Sequence, residues 1–127
     1  MKKRRSTARK SLPARSRPAV RIPAEQWDFP AGYTADGKRL ANLREVVDPE
    51  VATMSLAQLS PEQRAELVAE RIARQPKFRL AMIGAGVVDK DRAISEVKAQ
   101  TEIGRALMEI EQNVIHLLVE AAGRSHG

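Results

Sequence analysis

The sequence predicts an all-α fold: a small helical bundle with a long C-terminal helix, preceded by an extended basic N-terminal arm. Three observations support this. Apolar residues recur at spacings of three and four from residue 38 onward, a strong helix-start signal stands at residue 60, and no stretch sustains the alternation typical of a strand. We expect a disordered basic arm over 1–23, an extended aromatic strap over 24–37 and a helical domain over 38–127.

The arm is distinguished by its charge. Nine of the 22 Lys and Arg residues precede residue 22, and the first acidic residue is Glu25. From there to the end, 13 basic stand against 16 acidic side chains, so the net charge of +6 combines a strongly basic arm with a mildly acidic body. The arm has few bulky apolar residues to offset its ordering entropy, which predicts disorder.

Cations interleaved with Ser, Pro and small residues are typical of a segment that binds phosphate backbones without reading bases. The predicted nucleic-acid contacts are the nine cations Lys2, Lys3, Arg4, Arg5, Arg9, Lys10, Arg15, Arg17 and Arg21. Two alternatives remain. In the first, the arm lies on an acidic protein surface, or serves only to solubilise or target the chain. In the second, it binds an anionic membrane. The membrane alternative lacks the apolar face that a surface helix needs.

The strap contains three of the four aromatic residues of the chain, Trp27, Phe29 and Tyr33, within seven positions. Pro30 and Gly32 argue against a regular helix there. Aromatic side chains this dense in an extended segment anchor it to another surface. They pack back onto the helical body, dock into a partner protein, or stack on nucleic-acid bases.

The helical domain begins with a helical apolar pattern over 40–47 and a short helix after Asp48. Ser60 then precedes a Pro and stands three residues before Gln63, the pattern of a capping box, and predicts a helix running to about Arg74. A further short helix is expected over about 78–83, ended by the glycines at 84 and 86.

Asp89 or Asp91 caps the predicted long helix, about 91–122. Its apolar arc is wider than one packing partner needs, which favours self-association over a compact bundle with this helix at its centre. Gly104 would allow a close backbone approach, and Glu111 projects into the arc as a boundary residue or as the partner of an Arg across the oligomer interface. The expected oligomer interface is the seam Ile103, Leu107, Ile110, Val114 and Leu117.

Several classes of site are excluded or disfavoured. The chain has no Cys, so disulfides and thiolate chemistry are excluded, and its two His residues lack partners at ligand spacing. The glycines at 84 and 86 resemble a dinucleotide loop, but Asp89 stands where that fingerprint requires Gly. Glu109 and His116 share a helix face without a third group to activate them. We therefore predict no enzymatic activity, no cofactor and no metal.

The sequence favours a non-enzymatic architectural or accessory protein of the cytoplasm. Its basic arm would bind nucleic acid non-specifically, and its body would self-associate. An alternative is an adaptor or structural subunit of a larger assembly, docking through Trp27, Phe29 and Tyr33 while the arm lies on an acidic surface. A third possibility is a small regulator such as an antitoxin. No apolar stretch is long enough to span a bilayer.

Overall fold

The computed structural model describes residues 21–126, with the side chains of 21–123. Its elements follow the order 3₁₀ turn Ala24–Asp28, β1 Pro30–Thr34, β2 Leu40–Asn42, α1 Leu43–Val46, β3 Thr53–Met54, 3₁₀ turn Leu56–Gln58, α2 Pro61–Arg74, β4 Arg79–Met82, β5 Gly86–Asp89, α3 Lys90–Ala99 and α4 Glu102–His126. Of the basic arm predicted to be disordered over 1–23, residues 1–20 lie outside the described residues, whereas Ile22 packs against the body.

The all-α prediction is wrong, because the helices are joined by two antiparallel sheets. One has three strands in the order β2-β1-β3, and the other is the hairpin β4–β5. In the first sheet, β1 is buried almost throughout, so it shows no alternation in the sequence. In the second, each strand has four residues, too few to reveal a period of two.

The hairpin occupies the segment for which the sequence predicts a short helix. Leu80 pairs with Val88 and Ala81 with Val87, so the chain reverses within residues 83–85. Gly84 and Gly86 both have a positive φ, which glycine adopts without steric cost. The glycines predicted to end a helix therefore form the turn of a hairpin.

Helix α2 confirms the clearest sequence signal. The Ser60 hydroxyl accepts a hydrogen bond from the Gln63 amide at 3.1 Å, and the Gln63 side chain accepts one from the Ser60 amide at 2.9 Å. This is the predicted capping box, and the helix runs from Pro61 to Arg74 as expected. Leu67, Val68 and Ile72 lie on its buried side.

The predicted long helix over about 91–122 is divided in two. Asp89 caps α3, and Gln100 adopts a left-handed conformation that ends it. The Thr101 hydroxyl then accepts from the Gly104 amide at 3.0 Å in the first turn of α4. Gly104 permits the close contact between the helices, since a Cβ there would lie 2.9 Å from the Val97 Cα.

The core consists of two apolar clusters, and α2 contributes residues to both. The first joins Val68 and Ile72 to β5, α3 and the start of α4. The second joins Leu67 to the three-stranded sheet, α1 and Ile115 of α4. The hairpin and the N-terminal segment thus lie against different clusters, and α2 and α4 connect them.

Candidate interaction surfaces

The three aromatic residues of the strap differ in their accessibility. Phe29 is 9% exposed and Tyr33 only 2%, whereas Trp27 is half-buried. The Trp27 ring lies 5.9 Å from the Arg44 guanidinium, which also pairs with Asp28 at 3.3 Å. Two of the three aromatic side chains are therefore packed into the body, and Trp27 keeps part of its ring available to a partner.

The buried Tyr33 makes a partly buried polar contact between the sheet and α2. Its hydroxyl donates a hydrogen bond to the carboxylate of Glu66 on α2. Burial raises the pKa of the Tyr33 phenol above its usual value of 10.0, and the hydrogen bond and negative charge of Glu66 raise it further. Tyr33 therefore stays protonated in the folded chain well beyond neutral pH.

Arg71 joins the N-terminal segment to both α2 and α4. Its side chain is 1% exposed and its Nε donates to Glu111 at 3.0 Å. The other guanidinium nitrogens donate to the carbonyl oxygen of Pro30 at 2.8 Å and to the Gln26 side chain at 3.1 Å. The guanidinium also lies 6.0 Å from the Phe29 ring centre. We call these residues the Arg71 junction.

The sequence already indicated one half of this junction. Glu111 was expected either to remain at a boundary or to pair with an Arg across an oligomer interface, and it pairs instead with Arg71 of the same chain. Arg71 was missed, although it stands four residues after the inward-facing Leu67 and therefore lies on the buried side of α2. That spacing was the available signal for a buried cation.

The predicted seam of α4 is buried at one end and open at the other. Leu107 is 5% exposed within the first cluster, and Ile103 packs against that cluster as a half-buried residue. Ile110 is 49% and Leu117 62% exposed, with Val114 half-buried between them. The spacing of these last three residues places them on one side of the helix. We call this set the α4 stripe.

The hairpin exposes a second apolar surface. Val88 is fully buried against the first cluster, but Leu80 and Val87 are 41% and 53% exposed and Ile83 is fully exposed at the turn. Three of the six large exposed hydrophobic residues of the described chain thus lie in one eleven-residue hairpin.

Cations surround the base of this hairpin. The side chains of Lys77 and Arg79 are exposed and, within the described residues, form no hydrogen bond or ion pair. Lys90 donates to the Gln75 carbonyl oxygen at 2.7 Å, while Arg92 donates to the turn at the Ala85 carbonyl oxygen at 2.9 Å. An open groove of about 860 Å³ passes along Lys77, Arg79, Val87 and the start of α3.

The predicted nucleic-acid contacts lie almost entirely outside the described residues. Among them, Arg21 is described and exposed, and the contacts from Lys2 to Arg17 fall within residues 1–20. Ile22 and Trp27 pack against the second apolar cluster. The chain on which the nine cations stand is therefore attached to the body at a defined position.

In the part of the chain that the structure describes, no group of three or more His, Cys, Asp or Glu side chains is placed to hold a metal ion. The side chains of Glu109 and His116 are exposed on α4 and make no hydrogen bond or ion pair within that part. Among the same residues, no helix combines the length and the apolar character needed to cross a membrane.

Comparison with known proteins adds no relative: no family model, no curated protein and no solved structure matches the chain.

Proposed function

We propose that the chain is a non-enzymatic accessory protein of the cytoplasm, whose basic N-terminal arm binds nucleic acid and whose folded body self-associates. The observation that carries the proposal is the segregation of charge. Nine cations precede the first acidic residue, while the following chain has more acidic than basic side chains. Such an arm neutralises phosphates and releases their counterions, which drives binding regardless of base sequence.

The attachment of the arm to the body supports separate roles for the arm, which binds nucleic acid, and for the body, which self-associates. Ile22 and Trp27 pack on the body, so residues 1–20 start from a fixed position. Fully extended, 20 residues reach about 70 Å. That reach is enough for several cations to contact successive phosphates, which are about 3.4 Å apart along one strand.

The α4 stripe supports self-association. Ile110, Val114 and Leu117 repeat at spacings of four and three, as apolar residues do along the seam between two packed helices. In an isolated chain Ile110 and Leu117 remain largely in water. Pairing with the same face of a second copy would bury both side chains. The resulting dimer would carry two basic arms, which raises its effective affinity for a nucleic acid long enough to contact both.

The nucleic-acid proposal is tested by titrating a labelled duplex with the full chain at several salt concentrations. The log of the association constant should fall by about 0.9 per phosphate contact for each tenfold rise in salt. Replacing Lys2, Lys3, Arg4 and Arg5 by Ala should flatten this slope by up to about 3.6. The loss of affinity should be equal for duplexes of unrelated sequence.

A charge-matched pair of variants makes that test specific. Lys2→Ala with Lys3→Ala removes two positive charges from the arm, whereas Lys38→Ala with Lys98→Ala removes two exposed charges from the body. The arm pair should flatten the salt slope and the body pair should not. Equal effects would show that net charge alone determines binding, and unchanged affinity in the four-residue variant would refute the arm as the binding element.

Self-association is tested by sedimentation of the intact chain. Leu117→Lys places a charge on the α4 stripe at a position that is 62% exposed, so the monomer should fold normally but no longer associate. Val51→Lys, at a position 36% exposed elsewhere, is the matched control and should leave the oligomer unchanged. A monomeric wild-type chain would contradict this part of the proposal.

The half-exposed Trp27 favours a second candidate, an adaptor that docks on a protein partner through this ring. Phe29 and Tyr33 are buried in the body, so Trp27 and Arg44 would supply the contact. Trp27→Ala should then abolish co-purification with the partner and leave nucleic-acid binding intact. Loss of both together would contradict this separation of roles.

A further inference from the structure

The tip of the β4–β5 hairpin projects a single large side chain. Ile83 is fully exposed, and the next three residues, Gly84, Ala85 and Gly86, carry no side chain larger than a methyl group. A Cβ added at Gly84 or Gly86 would meet no atom within 4 Å. Packing within the chain therefore does not require small residues at this tip. Their small size leaves room for a partner around Ile83.

The turn that presents Ile83 is held in place. Arg92 of α3 donates to the carbonyl oxygens of Ala85 at 2.9 Å and Val87 at 3.2 Å, and its Nε pairs with Glu96 at 3.2 Å. Ala85 and Met82 also pack against the first apolar cluster. Ile83 is thus an exposed side chain on a braced turn, whereas an exposed residue on a loose loop would have no defined direction.

The charge of this region is opposite to that of the rest of the body. Residues 71–92 contain six basic and two acidic side chains, a net charge of +4, whereas residues 22–127 as a whole have a net charge of −3. Three of the six cations are paired with acidic residues outside this segment, Arg71 with Glu111, Arg74 with Glu70 and Arg92 with Glu96. The side chains of Lys77 and Arg79, at the base of the hairpin, are exposed and, within the described residues, make no hydrogen bond or ion pair.

We propose that this hairpin is a second contact with the nucleic acid, in which Ile83 inserts between stacked base pairs of duplex DNA while Lys77 and Arg79 bind the flanking phosphates. This inference rests on the proposed function and adds to it a preferred form of nucleic acid, a duplex that is easily unstacked. Apolar wedges, isoleucine among them, enter base steps from the minor groove and kink the duplex in this way.

The dimensions of the hairpin fit this role. At about 3.4 Å per residue along the strand, the tip lies roughly 14 Å beyond Arg79, and Lys77 stands two residues before that strand begins. The minor groove is about 7.5 Å deep, so a side chain at the tip reaches the base edges while cations nearer the base remain at the phosphates. Pyrimidine–purine steps such as TA unstack most easily and are the expected points of insertion.

The single large apolar side chain at the tip favours DNA over a lipid surface. A membrane anchor of this size needs several large apolar side chains that insert together at its leading end, and only Ile83 stands at the tip of this hairpin. Anionic vesicles therefore enter the experiment as a competing outcome.

The test uses the full chain and a duplex with 2-aminopurine at a central TA step, whose fluorescence rises when the base unstacks. Wild type should increase the fluorescence. Ile83→Ser should abolish that increase while changing the affinity by no more than about threefold, because phosphate contacts dominate binding. Val51→Ser is the matched control, because Val51 is also β-branched and exposed, and this variant should increase the fluorescence as wild type does.

A second variant tests the cations separately. Lys77→Ala with Arg79→Ala should flatten the salt slope by about 1.8, the value for two phosphate contacts. Binding that depends on the arm, with fluorescence unchanged by Ile83→Ser, would overturn the wedge and leave the proposed function standing. Wild-type binding that is insensitive to salt would refute the proposed function itself. Loss of binding to phosphatidylserine vesicles in Ile83→Ser, without any effect on DNA, would make the hairpin a membrane element and overturn the inference.

Discussion

Arg71 and Arg79 are eight residues apart in the chain and have opposite surroundings. Arg71 is 1% exposed, and all three of its guanidinium nitrogens donate to protein acceptors. Arg79 stands on an exposed strand, and within the described residues its side chain makes no hydrogen bond or ion pair. The first arginine determines how the N-terminal segment sits on the helices, and the second is free to bind a partner.

The same contrast holds for the backbone around each arginine. The Arg71 junction links the turn before β1, the strand itself, α2 and α4 through one side chain. The hairpin is a pair of four-residue strands with an open groove along its outer side. Substitutions at the junction should therefore change stability, whereas substitutions at the hairpin should change binding.

The largest effect is expected for Arg71→Met. It leaves the Glu111 carboxylate partly buried without its cation and deprives the Pro30 carbonyl oxygen of its donor. Breaking a buried pair in this way costs about 3–5 kcal/mol. Arg79→Met, the same exchange at an exposed site, should change the free energy of unfolding by less than about 0.5 kcal/mol. Urea denaturation followed by Trp27 fluorescence measures both.

A double variant sharpens the interpretation of that result. Arg71→Met combined with Glu111→Met removes both charges, and apolar replacements of buried ion pairs are often neutral or stabilising. The double variant should therefore be clearly more stable than Arg71→Met alone. A double variant as unstable as the single one would show that the hydrogen bonds to Pro30 and Gln26 matter more than the ion pair.

A smaller loss is expected for Gly104→Ala, where α3 and α4 meet. The added Cβ would overlap the Glu96 carbonyl group, so the helices must separate, at a cost of about 1–3 kcal/mol. Gly123→Ala is the matched control in the same helix. A Cβ there meets nothing within 4 Å, and helix propensity predicts a gain of up to about 1 kcal/mol. Thermal denaturation should show opposite shifts, and a shift of the same sign would argue against the close contact.

Some parts of the fold were predictable from the sequence because they depend on local signals, whereas others depend on contacts between distant residues. Helix α2 has its own start signal in Ser60 and Gln63, so neighbouring elements are not needed to recognise it. The strands depend on distant partners: β1 pairs with both β2 and β3, and its sequence, Pro-Ala-Gly-Tyr-Thr, shows no alternation of apolar and polar residues. Local patterns do not contain that information.

The break between α3 and α4 was hidden for a related reason. The apolar period runs on from Val97 to Leu107, and the residue that adopts the left-handed conformation is Gln100, where glycine would be the usual signal. The contact of Gly104 with α3 decides the geometry, and that contact is tertiary. For the interaction surfaces, the seam of α4 was predictable from its period, whereas the exposure of Ile110 and Leu117 depends on where the other elements pack.

The smallest expected effect is a fall in the free energy of unfolding at alkaline pH. It involves β1, through Tyr33, and not the hairpin. Tyr33, the only tyrosine of the chain, has a raised pKa through its burial and through Glu66. Above its usual pKa of 10.0 the unfolded phenol ionises while the folded one keeps its proton, so the free energy of unfolding falls as pH rises. Tyr33→Phe should lose about 1 kcal/mol near neutral pH with the hydrogen bond.

That deficit should shrink above about pH 10, because only the wild type has the phenol to ionise. Urea denaturation of both chains at about pH 8 and about pH 11 measures the change. Glu66→Gln keeps a side-chain acceptor near the hydroxyl but removes the negative charge that opposes ionisation. Its tyrosinate absorbance should therefore appear at a lower pH than in wild type. A deficit that stays constant with pH would mean that the Tyr33 phenol ionises equally in the folded and unfolded chains, and that β1 is no more sensitive to alkali than the exposed hairpin.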